Sequence, residues 1–136
     1  MPDDPAAAPA RIDLSSLERH WNCRLTVPGR KSGQPRSVTI WYALDPAAGR
    51  VLLTGGAERP QWCRNVAAHE AAGGAVTLQI GPVRLAGRAR VIDDPAESEA
   101  IRQCFVRRYV GARLARWLGR GYVDSLAVVV DELRRA

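Results

Sequence analysis

Two neighbouring stretches limit the fold more than any other part of the chain. Residues 75–80 (AVTLQI) and 83–92 (VRLAGRARVI) are apolar-rich and separated only by Gly81-Pro82. The second alternates without a break. Val83, Leu85, Gly87, Ala89 and Val91 fall on one side, and Arg84, Ala86, Arg88 and Arg90 on the other. Successive side chains of a strand point to opposite faces, so this spacing predicts a strand with one buried face and one wet, cationic face. A Gly-Pro turn between two such runs predicts an antiparallel pair.

The remaining elements follow from local signals. Ser15-Ser16-Leu17-Glu18 reads as a capping box with Ser15 as N-cap, opening an amphipathic helix over about 14–21 with Leu14, Leu17 and Trp21 on one face. Strands are predicted over 23–27, 37–44 and 50–54, the second rich in β-branched and aromatic residues (SVTIWYAL). Pro60 suits the first turn of a helix running from Gln61 to about Ala72, closed by Gly73-Gly74. Asp94-Pro95 opens a longer helix that the pattern carries towards Leu118, with a break at Gly111. A last strand spans 126–130. The order is helix, three strands, helix, two strands, helix, strand. It predicts an α+β fold, mainly β: a six-stranded antiparallel barrel with N-terminal, central and C-terminal helices packed outside. A length of 136 residues fits one domain, taken as 12–136. Residues 1–11 read as a disordered leader without the basic and apolar regions of a secretory signal.

Charge narrows the function. The chain has 20 basic and 14 acidic residues, a net charge of +6, and Lys31 is its single lysine. That balance favours anionic partners. Cys23, Cys63 and Cys104 are too far apart for a disulfide framework, which points to a cytoplasmic protein. His20 and His69 form no metal-ligand spacing with them, so no metal is expected. Neither a Ser-His-Asp order nor a carboxylate pair is evident, which leaves a hydrolase little support. An enzyme of this composition relies on a cofactor for its chemistry. Trp41 and Tyr42 are adjacent on one strand and therefore face opposite sides. They do not form the stacking platform of a nucleic-acid binder, and no nucleic-acid partner is expected.

The segment Gly29 to Arg36 (GRKSGQPR) carries the strongest chemical signal. It holds Arg30, Lys31 and Arg36, the hydroxyl of Ser32, and two glycines that let backbone amides approach an anion. Ser37 adds a second hydroxyl. This is the chemistry of a phosphate cradle, without the spacing of a P-loop. A basic turn serving only solubility is the alternative. A second Gly-rich turn, Gly55-Gly56 followed by Arg59, leads into a helix N-terminus, which is also suited to anions.

These blocks together resemble one family. Leu25-Thr26-Val27-Pro28-Gly29-Arg30-Lys31-Ser32-Gly33-Gln34-Pro35-Arg36-Ser37, then Trp41-Tyr42, Gly55-Gly56 and Pro60-x-Trp62-x-x-Asn65-Val66 are similar to the deazaflavin-dependent nitroreductases. Those are split β-barrel oxidoreductases related to the pyridoxamine-phosphate-oxidase-like barrels that bind flavin mononucleotide (FMN). The resemblance implies hydride transfer from the reduced deazaflavin coenzyme F420 to a small electrophile such as a quinone, an activated alkene or a nitro compound. It places Arg30, Lys31, Ser32, Gly33, Arg36 and Ser37 along the coenzyme's phosphate and acidic tail. Trp41, Thr54, Gly55, Gly56, Arg59, Trp62 and Asn65 border its groove, with Arg59 standing where the family usually has lysine. Tyr122, with Tyr42 second, is the candidate donor to the anion left by hydride transfer. FMN or another planar ligand, bound with or without turnover, is the alternative occupant. A homodimer and a peripheral membrane contact are both compatible with this reading.

Overall fold

The computed structural model describes residues 14–54, 60–109 and 127–136. Seven strands occur among them: β1 (Cys23–Pro28), β2 (Pro35–Ile40), β3 (Tyr42–Asp45), β4 (Arg50–Thr54), β5 (Ala75–Ile80), β6 (Val83–Ile92) and β7 (Ala127–Arg135). A 3-10 turn covers Leu14–Arg19, and two helices, α1 (Gln61–Glu70) and α2 (Pro95–Arg108), follow β4 and β6. All strands belong to one sheet in the order β2-β1-β5-β6-β7-β4-β3, and every neighbouring pair is antiparallel.

The two ends of that order are β2 and β3, which are consecutive in the chain and separated only by Trp41. A sheet whose opposite edges are tied by one residue must curl. This corrects the expected count of six strands. Residues 37–44 are continuously β-forming, but they do not stay on one neighbour. Residues 35–40 pair with β1, whereas Tyr42 to Asp45 pair with β4. The chain changes partner at Trp41, and one expected strand becomes two.

The concave side holds the main core. Leu25 and Val27 of β1, Leu78 and Ile80 of β5, Leu85 and Ala89 of β6, and Val128 and Val130 of β7 all point inward. Helix α1 packs its Trp62, Cys63 and Val66 face onto the same cluster and leaves Gln61, Arg64, Ala67 and Glu70 exposed. A smaller cluster forms on the convex side, where Ile101, Phe105 and Tyr109 cover Ala43, Leu52, Ile92, Ala127 and Val129. The run Val128-Val129-Val130 does not alternate because both of its faces are buried. Helix α2 starts as expected, with the Asp94 carboxylate accepting from the Glu97 amide at 2.8 Å and Pro95 in the first turn.

β6 keeps the predicted faces: Leu85, Gly87 and Ala89 are buried, and Arg84, Arg88 and Arg90 are exposed. The pairing of β6 with β7 slips between Ala86 and Arg88. Gly87 is needed there, since a Cβ would sit 2.8 Å from the Asp131 carbonyl. β7 is longer than expected, because Arg134 and Arg135 still pair with Ala86 and Leu85. Leu14 and Leu17 are buried as expected, but the N-terminal segment is a 3-10 turn beginning at Leu14. Ser15 therefore lies inside it and is not an N-cap. Trp21 falls beyond its end and is 61% exposed. The expected leader and the extension of α2 beyond Tyr109 lie outside the described residues. Cys23, Cys63 and Cys104 are free thiols. No described helix is long and apolar enough to cross a membrane.

Leu85 is fully buried on the inner face of β6. Leu85→Arg is expected to destabilise the fold by about 3–5 kcal/mol, the cost of an unpaired charge in a core. Arg88→Leu on the opposite face should change stability by about 0.5 kcal/mol or less. Denaturant midpoints of the two variants test this difference.

Candidate functional site

The β1–β2 connection is a turn closed by its own backbone. Gly29 N–H donates to the Gln34 carbonyl and Gly33 N–H to the Gly29 carbonyl, both at 2.8 Å. Gly33 has a φ of +73°, which a side chain resists. The Ser32 hydroxyl accepts from the Gln34 amide at 3.2 Å. Arg30, Lys31 and Ser32 are thereby held at the exposed crest.

A side chain from α1 reaches across to this crest. Asn65 is 6% exposed, and its Oδ1 accepts from the Arg30 backbone N–H at 3.1 Å and from the Arg30 guanidinium at 2.9 Å. One buried amide thus fixes both the backbone and the side chain of the leading cation. Pro60 gives α1 no capping side chain, so the positive end of the helix opens on the same space.

Between turn, β2 and α1 lies a cleft of about 590 Å³. Arg30, Lys31 and Arg36 make one side cationic, and Ser32 and Ser37 add hydroxyls. Val38, Pro60 and Trp62 form an apolar wall, with Gln61 and Asn65 at the helix end. Among the described residues, the lining contains no carboxylate. Its volume suits a cofactor-sized molecule. The combination of charge and an apolar wall is the chemistry that suits a ligand with an anionic part and an apolar part.

Seven of the residues predicted for the cofactor converge here: Arg30, Lys31, Ser32, Arg36, Ser37, Trp62 and Asn65. Gly33 shapes the turn but lines a neighbouring hollow beside Pro35 and Thr77. Thr54 is buried at the end of β4 and is not in the lining. Gly55, Gly56, Arg59 and Tyr122 lie outside the described residues. Val38 and Gln61 were not anticipated. A Pro-initiated helix after a Gly-rich turn was the available signal for Gln61.

Trp41 and Tyr42 are placed elsewhere. Trp41 is 40% exposed and stacks on Tyr109, with ring centroids 4.3 Å apart and planes at 4°. Tyr42 is fully buried, and its hydroxyl donates to the carbonyls of Leu17 and His20. The Arg108 guanidinium lies 4.6 Å from the centre of its ring. The Tyr109 hydroxyl, in turn, meets the backbone N–H and carbonyl of Tyr42 at 3.2 and 2.6 Å. Tyr42 is therefore a structural pin between β3 and the N-terminal turn, in place of the expected donor in the cleft. Burial pushes its phenol from 10.0 up to about 12. Burial likewise pushes the Cys23 thiol up to about 12, which keeps it inert as a nucleophile.

Solved structures share this fold. A Listeria innocua protein named for pyridoxamine 5'-phosphate oxidase superposes with a TM-score of 0.60 at 18% identity, covering 90% of this chain and 93% of that one. An F420-H2 dependent reductase gives 0.59 at 23% identity, covering 81% and 93%. A structure described as a domain-swapped dimer gives 0.61 at 21% identity, covering 81% and 79%. Among curated proteins no relative of this chain was found. Residues 15–132 match the family model described as F420H(2)-dependent quinone reductase. The chain belongs to that family and is an F420-dependent oxidoreductase.

Two outcomes test the geometry. The raised pKa of Tyr42 means its neutral form stabilises the fold. That contribution is complete below pH 10 and is lost as pH rises towards 12. Unfolding followed from pH 9 to 12 should show this loss, and Tyr42→Phe should flatten it while costing about 1 kcal/mol for the missing hydrogen bond. At the cleft, Asn65→Ala should cost about 1–2 kcal/mol by removing both bonds to Arg30. Asn65→Asp keeps the acceptor but adds a negative charge beside the cations. It should retain stability and still weaken coenzyme binding, as read by thermal unfolding and fluorescence titration.

Proposed function

We propose that this protein binds reduced F420 along the cleft between the Arg30-Lys31-Ser32 turn and the start of α1, and reduces a small electrophile, a quinone foremost. Activated alkenes and nitro compounds belong to the same acceptor class. The observation that supports this most is the convergence of three cations on one cleft, with Arg30 held by the buried Asn65. When bound, the coenzyme supplies the hydride.

The chain's own residues supply binding and orientation. Arg30, Lys31 and Arg36, with the Ser32 and Ser37 hydroxyls, neutralise the phosphate and acidic tail. Asn65 spares Arg30 the cost of ordering its side chain when the anion arrives. Val38, Pro60 and Trp62 offer a dry wall to a planar ring. The acceptor, having taken the hydride, holds an anionic oxygen that needs a proton. Tyr122 remains the candidate donor, because Tyr42 is committed to the core. FMN carries one phosphate and no tail carboxylates, so it makes less use of three cations.

Lys31→Ala is expected to weaken F420 binding by about tenfold or more, the worth of one charge-assisted contact. Added salt should weaken the wild type more than the variant, because exposed charges are screened over about 8–10 Å. FMN should bind less tightly than F420 and respond less to the substitution. Equal affinity of wild type and variant for F420 at low salt would overturn the assignment of the cleft.

A further inference from the structure

Strand β6 outlasts its neighbour β5. The two pair from Ile80 with Val83 to Ala75 with Arg88, and β6 then runs on to Ile92 beside β7. Successive residues of an antiparallel strand turn their N–H groups to alternate neighbours. The amides of Ala89 and Val91 therefore face the side that β5 has left, where each needs an acceptor. The end of α1 and the turn after it supply both. Ala89 N–H donates to the Gly74 carbonyl at 2.8 Å, and Val91 N–H to the Glu70 carboxylate at 2.9 Å. Gly74 permits this approach, because a Cβ on it would stand 2.5 Å from the Ala89 carbonyl oxygen. Glu70 thus stands in for a backbone carbonyl of the strand that has ended.

Glu70 is the last residue of α1, and Asn65 precedes it on the same helix. A separation of five residues places the two side chains about 7.5 Å apart along the axis and about 140° apart around it. One holds the Arg30 turn and the other holds β6. Between them Trp62, Cys63 and Val66 pack on the core. Apolar packing is non-directional and by itself tolerates a small slide of the helix. Hydrogen bonds have distance and angle limits and do not. The Glu70 bond joins a charged acceptor to an amide, which makes it stronger than a bond between neutral groups. Glu70 itself is exposed and lies outside the cleft lining.

We propose that Glu70 is a positioning residue for the cleft: by holding the free edge of β6 it sets where α1 stands on the sheet, and so keeps Asn65 in reach of Arg30 and Trp62 on the cleft wall. This rests on the reading of the cleft as the coenzyme site. It adds a residue that acts on the coenzyme from the opposite end of the helix, through Asn65 and Arg30.

The test compares wild type, Glu70→Ala, Glu70→Gln and Asp94→Ala. Glu70→Ala removes the acceptor of Val91, whereas Glu70→Gln keeps an oxygen for it. Asp94→Ala removes the cap of α2 and serves as a loss of stability remote from α1. In Glu70→Ala the amide resonance of Arg30 should move, and F420 should bind about 2- to 10-fold more weakly, the worth of one hydrogen bond. With a soluble quinone as acceptor, KM for the coenzyme should rise by the same factor while kcat stays at the wild-type value. Glu70→Gln should restore both resonance and affinity, and Asp94→Ala should alter neither. An Arg30 amide that stays in place in Glu70→Ala overturns the proposal, as does a Glu70→Gln variant no better than Glu70→Ala or an Asp94→Ala variant with the same shift. If Lys31→Ala weakens F420 binding and Glu70→Ala does not, the positioning role is overturned and the cleft assignment stands. If the amide moves and Glu70→Gln restores it, but neither Glu70→Ala nor Lys31→Ala changes F420 affinity, Glu70 positions the turn and the cleft assignment falls. Wild type gives a readout without substitution, should Glu70→Ala fail to fold. F420 that slows amide exchange at Arg30 should also slow it at Val91, and protection of Arg30 alone overturns the proposal.

Discussion

Trp41 joins the two edges of the sheet, and the rest of the architecture depends on that short link. β2 and β3 stand at opposite ends of a seven-stranded order, yet one residue separates them in the chain. Rolling the sheet is the way to satisfy both pairings. Rolling creates a concave side that needs filling, which α1 does with Trp62, Cys63 and Val66. It also creates a convex side that α2 covers only in part. The link is held from the far end of α2. Tyr109 stacks on the Trp41 ring and hydrogen-bonds the Tyr42 backbone.

The same geometry decides where ligand chemistry sits. β2 is an edge strand, paired with β1 alone, and its residues are mostly exposed. An edge can present Arg36 and Ser37 to solvent without disturbing the core. The turn before it projects further still. α1 then provides a second wall, because the residues that anchor it in the core leave its N-terminus facing the turn. The site is a junction between the free edge of the sheet and the end of the helix packed on its core.

Much of this was legible in the residues, and the exceptions have physical causes. The 75–80 and 83–92 strands were readable to the residue because alternation and a Gly-Pro turn agree. The division at Trp41 was not, since Ser37 to Leu44 is uniformly β-forming and only long-range pairing makes the chain change neighbours. The extension of β7 was hidden by Asp131 and Glu132, which look like a polar tail but face the arginines of β6. In the site, the cations that cluster in the sequence also line one cleft. The bond from Arg30 to Asn65 spans 35 residues and follows from no local spacing. Tyr42 was misjudged because a strand pattern says which side a phenol faces, not that backbone carbonyls await it there.

The placement of Asn65 has a consequence beyond the cleft. It shares one short helix with the core residues Trp62, Cys63 and Val66. Anything that tightens the grip of Asn65 on Arg30 also holds this helix on the core. Under the proposed function, occupancy and folding are linked by mass action, at about 2.7 kcal/mol when ligand is a hundredfold above its dissociation constant. In a cell that makes too little coenzyme, the first sign would be fewer surviving copies of the protein, ahead of any change in the turnover of each copy.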